Sequence, residues 1–127
     1  MSFDIINPSS LGQPSGWNNG MRGPAGGRVL FVAGQTGAGA GGMAQQWERA
    51  LERVVTVVRA AGGSPEDIGR MTVYVTDRAA YLGARHALGE VHRRHMGRHY
   101  PAMALVEVRA LVDEGALVEI EATAVIP

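Results

Sequence analysis

Apolar residues recur at helical spacing from Met43 to Ala61. Trp47, Leu51, Val54, Val55 and Val58 fall on one stripe of a 3.6-residue repeat, while Gln46, Glu48, Glu52, Arg53 and Arg59 lie mostly off it. Gly62-Gly63 supplies the stop, and Ser64-Pro65-Glu66-Asp67 reads as a cap opening one short turn. A second helix is predicted from the cap Asp77 to Met96, with Tyr81, Ala84, Leu88, Val91, His92 and His95 on its stripe and Gly97 ending it. Strands are predicted at Arg28–Ala33, at Arg70–Thr76 with Met71, Val73 and Val75 on one side, at Met103–Leu111 and at Leu117–Val125. Residues 1–27, rich in Gly, Pro, Ser and Asn, read as irregular, with Gly16 to Gly23 an ordered loop or edge strand. The order is strand, helix, strand, helix, strand, strand.

Alternation across the last two strands predicts two unlike sheet faces. Ala104, Val106, Val108 and Ala110 share one face of the first, against Met103, Leu105, Glu107, Arg109 and Leu111. In the second, Val118, Ile120, Ala122 and Ala124 oppose Leu117, Glu119, Glu121 and Thr123. The apolar sets are expected under the two helices. The charged face is left to water or to another subunit, so an α+β domain of this kind suggests an oligomer that packs those faces together.

Composition narrows the chemistry. At 127 residues the chain is expected to form one domain, residues 1–127. Twelve acidic residues balance twelve basic ones, all of them arginine, so no net field draws nucleic acid or an anionic membrane. The absence of lysine excludes a Schiff-base lysine. The absence of cysteine excludes a thiol nucleophile, a disulfide or a thiolate metal site. No apolar run approaches the roughly 20 residues that span a bilayer, and no signal-peptide pattern opens the chain. A soluble cytoplasmic protein is expected, with no membrane and no nucleic-acid partner.

Five segments, in order and spacing, carry a family likeness: Leu30-Phe31-Val32-Ala33-Gly34-Gln35, Ala60-Ala61-Gly62-Gly63, Thr72-Val73-Tyr74-Val75-Thr76-Asp77, Tyr100 to Val108, and Gly115 to Val125. Together they resemble the Rid (YjgF) family. The loop after Gln35 is shorter and richer in glycine than is usual there, and Trp17 stands where a tyrosine is common. The resemblance implies a chorismate-mutase-like α+β fold, a mixed sheet with two helices packed on one face. It also implies a homotrimer around a central barrel, with a small-molecule pocket between subunits. Carried across residue by residue, that pocket comprises Trp17, the Gly34 backbone, Met103, the backbone near Leu105, and Glu119. In imine-hydrolysing relatives the residue matching Glu119 positions the attacking water, and an arginine at the position of Met103 holds the substrate carboxylate.

Methionine donates no hydrogen bond. Losing a charge-assisted bond costs about 1.5–3 kcal/mol, or roughly one to two orders of magnitude in binding or rate. Arg109, on the same predicted face as Met103, lies roughly 20 Å along the strand, and Arg98 is about as far the other way. Arg22, near Trp17, or an arginine of a neighbouring chain stays open as a substitute. A purely structural reading pairs Glu119 and Glu121 with Arg109 at a subunit interface.

Other motifs read as bland. His92 and His95, one turn apart, have metal-ligand spacing with His99 or Glu90, yet they lie on the packing stripe, so no metal is expected. Gly37-Ala38-Gly39-Ala40-Gly41-Gly42 contains a literal G-x-G-x-x-G without the acidic residue or the chain length of a dinucleotide fold, and reads as a flexible loop. Trp47 reads as core, and Arg93, Arg94 and Arg98 as a solvated helix end. No cofactor is expected. The leading functional expectation is a divergent Rid-like protein that binds or transforms a small metabolite, with hydrolysis of an imine or enamine lacking a carboxylate as its chemistry. The alternatives are a conventional 2-iminoacid deaminase using another arginine, and a non-catalytic ligand sensor or partner-binding module. Ribonuclease activity, sometimes ascribed to such relatives, lacks a basic, aromatic-lined groove.

Overall fold

The computed structural model describes residues 3–127, so Met1 and Ser2 of the predicted irregular segment lie outside it. Its strands are β1 (Asp4–Ile6), β2 (Gly20–Arg22), β3 (Arg28–Thr36), β4 (Ile68–Val75), β5 (Ala102–Glu107) and β6 (Val118–Ile126). Its helices are α1 (Met43–Ala60), α2 (Arg78–Gly83) and α3 (Arg85–Met96). β1 and β2 form a small antiparallel ladder. The main sheet has the order β3-β6-β4-β5, antiparallel except for the parallel pair β4 and β5. Among the described residues no helix is long and apolar enough to cross a membrane.

β6 is the inner strand that organises this sheet. Val118, Ile120, Ala122, Ala124 and Ile126 are buried on one face, which packs on α1 in a core that includes Leu51, Val54 and Val58 of α1 and Leu88 and Val91 of α3. Burying each such aliphatic side chain contributes about 1.5–3 kcal/mol. Glu119, Glu121 and Thr123 point the other way, as their alternation predicts. The predicted second helix is broken at Ala84 into α2 and α3, and Asp77 caps α2 by accepting the Ala80 N–H at 3.0 Å. β3 runs past its predicted end at Ala33 through a bulge between Val32 and Gln35. There Thr36 is buried, and its hydroxyl donates to Asp113 at 2.6 Å.

Two expectations are overturned. The predicted facing of β5 is inverted: Met103 and Leu105 pack against the core, while Ala104 and Val106 are exposed. The parallel register sets Met103 beside Met71 and Leu105 beside Val73, both buried under the helices. Both faces of β5 are apolar at its start, and the polar residues that seemed to decide the matter fall at or past its end: Glu107 closes the strand and Arg109 lies beyond it. Gln46, placed off the apolar stripe of α1, is 3% exposed. Its amide donates to the carbonyls of Gly41 (3.0 Å) and Gly115 (3.1 Å) and accepts the Leu117 N–H (2.8 Å). Gly37 lies so close to the Gln46 backbone that a Cβ would collide with it. The glycine-rich loop is thus tied down onto α1.

Because the buried Gln46 side chain bonds three backbone groups, Gln46→Leu keeps the volume and removes all three bonds. It is expected to destabilise the protein by about 3 kcal/mol, read as a lower urea midpoint at unchanged slope.

The α1–α3 contact makes stability depend on pH. The Glu48 carboxylate accepts from His95 (2.8 Å) and Arg94 (2.8 Å), and these hydrogen bonds, His95 first, hold its pKa below the usual 4.5. Burial pushes His92 below the usual 6.5. Both groups resist protonation in the folded state, so the unfolded chain binds more protons, and stability falls on acidification. The His92 contribution is lost first as pH falls below about 6.5, and that of Glu48 below about 4.5. Urea midpoints between pH 8 and pH 5 should decline in the wild type and flatten in His92→Phe, which keeps a ring against Tyr100.

Candidate functional site

The N-terminal segment is clamped to the start of β5 by two asparagines. The Asn18 side chain donates to the Tyr100 carbonyl at 2.6 Å, and its backbone N–H donates to Pro101 at 3.3 Å. Asn7 in turn donates to the Asn18 side chain and accepts the Asn19 N–H. Gly16, at φ +80°, turns the chain just before the clamp. Trp17 is thereby held at 41% exposure over the opening between β5 and the helices.

Beneath it lies a cavity of about 530 Å³. Met103 and Leu105 of β5 form its floor, and Trp47 of α1, stacked on Tyr81 at 5.8 Å and 21°, forms one wall. Leu88 and His92 of α3 form another. The His92 ring stacks on Tyr100 at 4.6 Å, nearly parallel to it, and its Nε2–H donates to the His99 carbonyl at 2.8 Å. Burial lowers the His92 pKa from the usual 6.5, outweighing the His99 hydrogen bond that raises it, so His92 enters as a neutral ring near neutral pH. The charged residue of the lining is Arg85, at the exposed start of α3, and Ser15 adds a hydroxyl. A volume within the roughly 300–1,000 Å³ of small-molecule sites, apolar walls and few polar groups suit an organic ligand.

The sequence-predicted site residues fall into two groups. Trp17, Met103 and Leu105 line this cavity. Gly34 and Glu119 are together elsewhere, in and beside the β3 bulge, where the Glu119 carboxylate lies over Gly34 so closely that any Cβ would meet it. Met103 shares a row with Met71 and Ala122, and Glu119 shares one with Tyr74 and Val106. The two are therefore about 10 Å apart along the strands and about 10 Å across them, on opposite faces of the sheet. Arg22 joins neither group. It sits on β2 in an exposed ion pair with Asp4 at 3.0 Å.

Glu121 accepts the Tyr74 hydroxyl at 3.2 Å. Burial first, then the Glu121 charge, raises the Tyr74 pKa. Among the described residues neither Glu119 nor Glu121 pairs with Arg109 within the chain. The histidine set with metal-ligand spacing is not assembled, because His92 bonds the His99 carbonyl, His99 the Ile68 carbonyl and His95 the Glu48 carboxylate. Glu48, Glu52 and His95 do bring ligand atoms within 4.8 Å of one another, but Arg94 already occupies Glu48.

Arg85, Tyr81 and Tyr100 were not singled out from the sequence as site residues. The available signal was the helical spacing Tyr81, Arg85, Leu88, His92, in which an arginine interrupts an otherwise ring-and-aliphatic face.

The family model described as Endoribonuclease L-PSP matches residues 12–126. The human 2-iminobutanoate/2-iminopropanoate deaminase is 27% identical over 105 residues, covering 77% of this chain and 73% of that protein. A RutC family protein of Pyrococcus horikoshii is 34% identical over 105 residues, covering 77% and 79%. Among solved structures, the Rid-family protein YyfB from Yersinia pestis, of unknown function, superposes with a TM-score of 0.82 at 31% identity, covering 99% of this chain and all of that one. With the matched residues spanning nearly the whole sequence, and the sheet and helices reproduced from end to end in the Yersinia pestis structure, the chain belongs to the Rid family, the endoribonuclease L-PSP family of the matching model.

Proposed function

We propose that the protein hydrolyses a small imine or enamine whose reacting carbon bears no carboxylate, in sites formed between three copies of the chain. The observation that carries this reading is Met103 on the floor of the aromatic-walled cavity, where the family resemblance implies an arginine that holds the substrate carboxylate. A thioether and apolar neighbours favour a ligand body there and offer nothing to an α-carboxylate.

Glu119 is the candidate for positioning water, and it lies on the far face of the sheet from Met103. A site that uses both needs Glu119 from one copy and the Met103 cavity from another. The open sheet face supports such an assembly, since Val29 (57% exposed) and Phe31 (80%) leave apolar surface uncovered there. In the reaction, water adds to the imine carbon, the carbon–nitrogen bond breaks, and the products are a carbonyl compound and ammonia. Glu119 accepts a hydrogen bond from the attacking water and orients it.

The test is hydrolysis of freshly generated 2-iminobutanoate by the wild type, Met103→Arg and Glu119→Ala, each checked for trimeric mass by sedimentation. Slow wild-type turnover is expected, with a gain of about tenfold to a hundredfold in Met103→Arg. Glu119→Ala should abolish the gained activity when combined with Met103→Arg. Wild-type turnover as fast as that of Met103→Arg would overturn the reading. A monomeric mass would remove the shared site.

A further inference from the structure

The lining of the cavity carries a single cation and no carboxylate. That cation is also unspent. The Arg85 Nε–H donates to the Leu82 carbonyl at 3.3 Å, which holds the guanidinium at the junction of α2 and α3. Among the described residues no ion pair engages Arg85, whereas Arg22 is taken by Asp4 and Arg94 by Glu48. His92 adds no second charge near neutral pH, because burial lowers its pKa from the usual 6.5 despite the opposing hydrogen bond to the His99 carbonyl. The charge balance of the site is therefore one positive group at an exposed rim above an apolar, ring-lined interior.

We infer that Arg85 is the anion anchor of this cavity and that its ligand is a monoanion with an aromatic or branched apolar body. The planar guanidinium presents parallel N–H donors suited to a carboxylate at the rim, in two charge-assisted bonds. The body then covers Met103 and packs against Trp17 and Tyr81, where apolar area and ring faces are available. The inference rests on the cavity being the ligand site, and it deepens that reading: the negative charge sits at the rim, at the far end of the ligand from the carbon that lies over Met103. Short 2-imino acids, with the carboxylate on the reacting carbon, cannot place both groups in this way. An arginine displaced from the strand floor to the helix rim thus changes which end of the substrate is held.

Both tryptophans of the chain line the cavity, so their fluorescence reports its occupancy directly. We would titrate the full-length protein with 3-phenylpropanoate and with its uncharged isostere 3-phenylpropanamide, and repeat both with Arg85→Gln, Arg85→Lys and Arg98→Gln. The wild type is expected to bind the carboxylate about five- to tenfold more tightly, the modest figure reflecting the exposure of the rim. Arg85→Gln should erase that preference while leaving amide binding in place. Arg85→Lys should keep part of it, and Arg98→Gln, outside the cavity, all of it. Equal affinity for the two ligands in the wild type, or a preference that survives Arg85→Gln, would overturn the assignment of Arg85 and leave the cavity as a ligand site. Quenching by neither ligand would overturn the cavity itself and the inference with it. Arg85 is exposed and makes only one hydrogen bond through its side chain, to a carbonyl of its own helical hairpin, so the variants should fold.

Discussion

The two-sided alternation of β6 is the constraint on which the rest of the structure depends. As an inner strand it is hydrogen-bonded to β3 on one side and to β4 on the other, so a register slip of one residue would exchange its buried and exposed sets. Val118, Ile120, Ala122 and Ala124 must face α1 and the core, and Glu119 and Glu121 are thereby committed to the open face. That commitment reaches the chemistry. The carboxylate at position 119 cannot act on a ligand in the helix-side cavity of its own chain, whatever the rotamer, because the sheet stands between them.

The helix-side cavity depends on a different kind of contact. Its roof is a polar clamp, Asn18 on the Tyr100 and Pro101 carbonyls with Asn7 bonded to Asn18 and to the Asn19 N–H, that closes a long stretch of irregular chain onto the start of the parallel strand. Such bonds are individually modest, but most of them satisfy a partly buried backbone group, and together they place Trp17 where propensity alone could not. The walls are rings stacked across elements, Trp47 on Tyr81 and His92 on Tyr100. A ring-walled volume with one rim cation has selectivity by shape and charge without any polar group on its floor. The methionine at position 103 is consistent with that design.

Much of the architecture was legible in the chain because it rests on local periodicity. The stripe Trp47, Leu51, Val54, Val58 specified α1, the alternation in Val118–Ala124 specified β6, and Gly97 and Gly62 marked the helix ends. The family likeness was legible too, since it lies in short runs of consecutive residues. Where periodicity was ambiguous the reading failed. At the start of β5 both faces are apolar, and the nearest polar markers, Glu107 and Arg109, sit at the strand end or past it. Gln46 looked like a solvated residue because nothing local announces that Gly41, Gly115 and Leu117 will converge on it.

The sequence by itself determined α1, the four strands of the main sheet and the core stripe of α1, because each of these depends on residue identity and spacing within one segment. Only the tertiary structure decided which side of β5 faces the helices, since the Met71–Met103 register arises from pairing strands remote in sequence. It alone separated Glu119 from Met103 and brought Arg85 to the mouth of the cavity. Those placements depend on the path of the sheet and on where α2 breaks into α3, and no single stretch of the chain encodes either.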